Sequence, residues 1–486
     1  MVRWRVVCLV VLACLAAAPG VAVAHDPPDT RFDSPIPLTH LYAGAGATVA
    51  ATAGVLGLTT GRDGTDREWG IGGLPGRFGR VLAFAARGGF LACFALALFA
   101  GVAGPPDPDV NLLTVLFWGL WLKGVALLAA IVGSPWRLLS PWRTVYEAGV
   151  WLLDVTRSSS VGSAPAGASG PPDGARDRAA GAGVAPDGLI GYPEWLGRWP
   201  ALVGFLLVVG VMENLGGVPA APRETALLLG GYGVVMVAGA VVFGPTWFRR
   251  ADLFAVFYRL FGRVAPLQVS RGPAGDVRIT ARLPWRGGTV PVADIGAVGL
   301  VVAAVYTVSF DGFTNTVEYQ YLLTRVSVAL DVGVGVALVT YLGGYALFLA
   351  GFGLVVAATE RLGGRRVAAR ALLVFAPTLL PIAVSYDIAH TYPTTLRNAV
   401  RVAYTLLPLG GTVPDPLAWL SLPVFWGSQV VLITVGHVVA VVAAHVVTRR
   451  RYPDRAAARR SHLPLTLLMV GYTVLSLWIV SLPAVN

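Results

Sequence analysis

The chain has 486 residues, 55% of them hydrophobic and only 13% charged, whereas an ordinary soluble domain carries about 25% charged residues; this composition excludes a soluble globular protein and points to an integral membrane protein. The formal net charge is +11, but the arginines fall in short clusters between long apolar runs, the pattern of loops that set membrane orientation, so the expected partner is the lipid bilayer and not nucleic acid. Of the three cysteines, Cys8 and Cys14 lie in the N-terminal stretch and Cys93 in an apolar run, which leaves no disulfide or Cys-based metal site.

Residues 1–24 read as a signal peptide: Arg3 and Arg5, an apolar run, then Ala22-Val23-Ala24 as a small-x-small cleavage pattern. Cleavage there makes His25 the mature N-terminus, and an uncleaved anchor leaves it on the same side. Apolar runs of membrane-crossing length then predict helices near 38–59, 81–103, 112–133, 197–217, 224–243, 293–310, 333–358, 371–392, 422–447 and 464–482. The fold class expected is all-α, a polytopic helical membrane bundle of about ten transmembrane helices plus two interfacial amphipathic helices. Residues 25–155 form a first membrane part and residues 191–486 a second. Between them, residues 156–190, rich in Ser, Gly, Ala and Pro, read as a disordered cytoplasmic linker. Arginine-rich loops such as ERLGGRRVAAR and RRRYPDRAAARR alternate with arginine-poor ones such as PPDPDVN. The positive-inside rule therefore expects a plasma-membrane protein with both mature termini extracytoplasmic.

Within the loops, VRITARL at 277–283 alternates apolar and polar residues and predicts a small hairpin, while the glycine-rich WGIGGLPGRFG at 69–79 is expected to be a flexible loop. A repeat is also visible: IVGSPWRLLSPWRTVYEAG at 131–149 and VVFGPTWFRRADLFAVFYR at 241–259 align Gly133, Trp136 and Val145 with Gly244, Trp247 and Val256. Each copy follows a predicted membrane exit, and each is expected to continue as a helix along the membrane interface.

Familiar enzyme signatures are missing. The lone lysine, Lys123, is followed by Gly-Val inside an apolar run, so there is no phosphate loop, and there is no His-Glu-x-x-His, Cys-x-x-Cys or Gly-x-Ser-x-Gly. What remains is a set of ionisable residues in apolar segments, where insertion costs about 2.5 to 3.5 kcal/mol each and function is the usual reason. Glu213, Asp311, Asp331, Asp387 and His390 are all expected near one membrane face, with His25, Asp33 and His40 approaching it from the N-terminus. Asp387 and His390, at i and i+3, share a helical face. Carboxylates and imidazoles of this kind suit a divalent metal ion such as zinc, with His25, Asp311, Asp387 and His390 as candidate metal ligands and Glu213 as a ligand or catalytic base. A satisfied structural pair and an ion relay remain open for the same residues. His437 reads as a buried histidine bonded to a carbonyl or as a haem ligand, and Lys123 as pairing with a carboxylate across the bundle or snorkelling.

The runs SPWRT (140–144), FGPTWFRRADLFAVFYRLFGRVAP (243–266), FDGF (310–313), PIAVSYDIAH (381–390) and GHVVAVVAAH (436–445), with Asp33, Pro35, Ile36 and Pro37 after the signal junction, resemble a family of multi-pass membrane proteins often labelled fenitrothion hydrolase. The resemblance implies hydrolysis of an organophosphate triester by a few members. It places His25, Asp311 and His390, and more loosely Glu213, within family motifs. The expected function is thus a metal-dependent hydrolase acting on a small molecule from the extracytoplasmic side. The alternatives are an ion-coupled carrier and a scaffold protein of a membrane complex.

Overall fold

The computed structural model describes residues 37–58, 68–161, 188–272, 276–333, 335–407 and 410–482, with side chains omitted for 157–161. The segment 1–24 expected to be a signal peptide, His25, Asp33 and most of the expected linker at 156–190 lie outside the described residues. Among the described residues ten helices are long and apolar enough to cross a membrane: α1 (Leu38–Leu58), α2 (Gly76–Ala103), α3 (Leu112–Val132), α5 (Glu194–Glu213), α6 (Pro222–Phe243), α8 (Ile295–Thr314), α10 (Val336–Leu362), α11 (Ala369–Leu406), α12 (Leu422–Arg451) and α13 (Arg455–Ser481). Three further helices accompany them, α4 (Pro141–Val161), α7 (Leu253–Phe261) and α9 (Val317–Leu330), besides short helical turns. The chain is a polytopic all-α membrane bundle.

Burial follows position in the bundle. α8 runs through the centre and is enclosed over nearly its whole length, whereas α2, α6 and α10 bury only narrow stripes and present apolar side chains outward, as helices facing lipid do. α12 packs between α11 and α13, and α1 lies against α12 and α13. Small residues on α1 permit this: Ala45, Gly46, Val49 and Ala53 form its buried stripe.

One end of the bundle carries a three-stranded antiparallel sheet. β1 (Glu68–Leu74), β2 (Leu267–Arg271) and β3 (Val277–Arg282) are ordered β1-β3-β2, with Glu68 opposite Arg282 and Leu267 opposite Ala281. The hairpin expected at 277–283 is therefore present. The loop expected at 69–79 is corrected: its first half is strand β1, because the hairpin offers a free edge for Gly-rich backbone to pair with, a partner distant in sequence. Arg282 turns back to donate to the carbonyls of Gly262, Arg263 and Ala265, where α7 ends, a favourable place for a cation. The opposite, distal end holds the α2–α3, α5–α6 and α11–α12 turns and α9. Asn111 organises the first of these turns, accepting from the Leu113 amide while its Nδ2 donates to the carbonyls of Ala100 and Pro105.

The two repeat copies share their exit geometry. α3 and α6 each end on a glycine with positive φ, Gly133 at 83° and Gly244 at 67°, a conformation that favours glycine. A proline and a short helical turn follow in each. Beyond that point they diverge. α4 exposes Val145, Trp151, Leu152 and Leu153, as an interfacial helix does, whereas α7 buries Leu253, Phe254, Val256, Phe257, Tyr258, Leu260 and Phe261 against its neighbours.

α11 differs most from expectation. Hydropathy ends the segment at 392, but the helix continues to Leu406 for 38 residues, roughly 57 Å at 1.5 Å per residue, far more than a bilayer core of about 30 Å. Pro393 sits inside it. The added turns are too polar to read as membrane, yet Thr395, Asn398 and Val402 are buried against the bundle. Asp387 and His390 thus lie midway along α11 and not at its end.

Candidate functional site

Two stretches of π-helix lead into the site. Val115–Leu122 of α3 ends immediately before Lys123, and Leu206–Glu213 ends on Glu213 itself. Such wide turns shift the register of the following side chains and recur at functional positions. Each contains a glycine at a close approach: a Cβ at Gly119 would collide with the Asn398 side chain, and one at Gly210 with the Tyr341 hydroxyl. The register change in α3 also frees carbonyls, and the Tyr258 hydroxyl of α7 lies 3.2 Å from both Trp121 O and Leu122 O.

The Lys123 ammonium projects between helices running in the opposite direction. Its Nζ is 3.2 Å from Glu213 Oε1 on α5 and 3.9 Å from Asp387 Oδ1 on α11. All three side chains are enclosed, at 14%, 7% and 8% exposure. Next to them, His390 Nε2 lies 3.0 Å from Asp311 Oδ2 on α8, and this pair is the more open, at 32% and 28% exposure. A cavity of about 10 Å3 touches Lys123, Asn214, Thr307, Asp311 and Asp387, close to the lower limit for one water molecule.

Glu213, Asp311, Asp387 and His390, named from sequence, therefore do come together, and Lys123 joins them. Three carboxylates face one ammonium and one imidazole. The Glu213 carboxylate is only half satisfied, since its Oε2 is buried with no hydrogen-bond partner among the described residues. A buried acid of this sort costs free energy that a proton, a cation or a movement of Lys123 can relieve. Asp331, by contrast, is an exposed left-handed C-cap of α9, and His40 is exposed in the first turn of α1.

The candidate metal ligands are arranged in pairs. Asp387 faces the ammonium and Asp311 faces His390, so Lys123 takes the place between Glu213 and Asp387 that a metal cation would need. Among the described residues no three His, Cys, Asp or Glu side chains are arranged to hold one metal ion. His25, the remaining candidate ligand, lies outside the described residues.

A second buried acid went unnoticed in the sequence. Asp252 is fully enclosed between the repeat copies, where its Oδ2 accepts from Trp136 Nε1 and Trp142 Nε1, both at 2.9 Å. Its Oδ1 accepts from the Tyr232 hydroxyl at 2.9 Å and the Phe254 amide at 3.0 Å, which caps α7. Burial pushes its carboxyl above the usual aspartate range, and these four hydrogen bonds oppose the push. Trp121, Trp136 and Trp142 pack together beside it, Trp121 stacked on Trp136 at 5.4 Å between centroids and Trp142 edge-on to Trp136. The only sequence signal was an acid before the apolar run LFAVFYRLF, the mark of an ordinary helix cap.

His437 is fully buried, and its Nδ1 lies 2.8 Å from the Ile433 carbonyl one turn earlier on α12. Comparison with known proteins gave no match to a family model, to a curated protein sequence or to a solved structure.

Proposed function

We propose that this protein is a cation-coupled membrane carrier, with the proton as the coupling ion and Lys123, Glu213, Asp311, Asp387 and His390 as the coupling site. The observation that carries the reading is the Lys123 ammonium shared between Glu213 and Asp387 while Glu213 Oε2 has no hydrogen-bond partner among the described residues. Protonation of Glu213 would release the ammonium toward Asp387, and deprotonation would draw it back, so the proton count sets which helices Lys123 holds together. The π-helical segments and Pro393 place irregular backbone beside these groups, as transporter sites do. Asp311 and His390, being more open, form the branch through which a proton enters from the distal end. The arginine-rich loops lie at the sheet end, which supports a plasma-membrane orientation with the distal end extracytoplasmic.

A pH jump applied to proteoliposomes on a solid-supported membrane tests this without knowledge of the substrate. Wild type should give a transient charge movement, strongly reduced in Glu213→Gln and in Lys123→Met. An equal current in Glu213→Gln, or none in wild type, would overturn the reading.

The family resemblance supports a second reading, a metal-dependent phosphoester hydrolase, and the surplus of carboxylates over the single ammonium favours a site that takes up a cation. It requires Lys123 to move away from its carboxylates. Stoichiometric divalent metal in purified wild type, lost in Asp387→Asn and His390→Ala, would favour it over proton coupling.

A further inference from the structure

At the sheet end a groove of about 1050 Å3 opens between the segment before α8, the end of α10, the start of α11 and the end of α12. Its lining is divided by chemistry. Arg365, Arg366, Arg370 and Arg451 supply positive charge, and Ile295, Leu373 and Val374 supply an apolar wall.

Glu360 is the one acidic residue in the lining, and it is already committed. Its Oε1 and Oε2 accept from Arg451 Nε at 2.6 Å and Nη2 at 2.7 Å, a bidentate pair, and the Tyr452 hydroxyl donates to Oε1 at 2.6 Å. Arg365 Nη1 donates to the Arg451 carbonyl at 3.1 Å. Arg366 and Arg370 are exposed and form no ion pair among the described residues. The groove therefore keeps a net positive charge on flexible side chains at the mouth of the bundle.

Position separates the possible anions. Arg370 and Val374 are one helical turn apart on α11, so they share a face, and Ile295 is the first residue of α8. Charge and partly exposed apolar surface thus adjoin at the start of two membrane-crossing helices. A free phosphate would use only the arginines. A phospholipid uses both, with its phosphate on Arg366 and Arg370 and its acyl chain along Val374, Leu373 and Ile295. We propose that this groove is a binding site for an anionic phospholipid, independent of the coupling site.

The test uses full-length protein, delipidated in detergent and titrated with phosphatidylglycerol while bound lipids are counted by native mass spectrometry. R366Q/R370Q should weaken binding of the tightest lipid by roughly 30-fold, from the usual contribution of two basic residues at a lipid surface. R459Q/R460Q, which removes the same charge from exposed positions on α13 at the same end, should leave it nearly unchanged. Equal losses in the two pairs would reduce the effect to general surface charge and overturn the site. So would phosphatidylcholine binding as tightly as phosphatidylglycerol, or inorganic phosphate displacing the lipid at comparable concentration.

Discussion

Asp252 and Glu213 are both acids enclosed by apolar helices, yet their environments are opposite. Asp252 receives four hydrogen bonds from donors that cannot leave, two indoles, a phenol and an amide. Glu213 has one partner, a lysine on a long flexible stem that a second carboxylate also attracts, and one oxygen with no hydrogen bond among the described residues. Fully satisfied polar groups rigidify a core, whereas partly satisfied ones hold alternative arrangements close in free energy. The number of donors, and not burial, distinguishes the fully bonded Asp252 from Glu213 with its unsatisfied oxygen.

The largest effect is expected where donors are most completely matched. Asp252→Ala leaves two indole N–H groups, the Tyr232 hydroxyl and the Phe254 amide without their acceptor; at about 1 to 3 kcal/mol for each unpaired buried group, the loss exceeds about 4 kcal/mol. The variant should yield little folded protein in detergent. Asp252→Asn should be nearly as damaging, because its amide would point N–H groups at other donors. A monodisperse Asp252→Ala protein with a wild-type melting temperature would break the contrast between the two acids.

Lys123 supplies the next test. Removing it alone strands Glu213 and Asp387, and loss of one partner from a buried ion pair costs about 3 to 5 kcal/mol. Lys123→Met combined with Glu213→Gln should recover part of that stability, with a coupling of about 0.5 to 3 kcal/mol in a double-mutant cycle. Additive melting shifts would mean that the two side chains do not interact.

How far these features could be read in the sequence depended on the physics each obeys. Membrane helices are set by local hydropathy, so the spans near 112–133, 224–243 and 422–447 match α3, α6 and α12 to within a few residues. The far part of α11 was hidden because hydropathy reports preference for lipid, and TTLRNAVRVAYTL is helical for a different reason, packing against the bundle. Strand β1 was hidden because its pairing partner is some two hundred residues away in the chain. Glu213, Asp311, Asp387 and His390 stood out because ionisable groups in apolar runs are costly. Their division into pairs was not legible, since it depends on the π-helical register shifts before Lys123 and Glu213. Asp252 was concealed by its ordinary second role as a helix cap.

A half-buried acid gives the small end of the scale. Glu147 on α4 pairs with Arg143 at 2.7 Å and with Arg87 of α2 at 2.6 Å, and its side chain is 36% exposed. Burial raises its pKa, but the hydrogen bonds and charges of Arg143 and Arg87 outweigh burial and hold it below the usual glutamate value. An acid with a depressed folded pKa contributes stability above its unfolded pKa and loses it as pH falls through the folded one. Solvent screening limits that contribution to less than about 1 kcal/mol. Glu147→Gln should therefore melt slightly below wild type at neutral pH, and the gap should close below the usual glutamate range. A gap as large as that of Lys123→Met would mean that partner count, and not enclosure, governs what an acid contributes to this bundle. A small gap that vanishes on acidification would show that enclosure is what makes the donor count at Asp252 and Glu213 decisive.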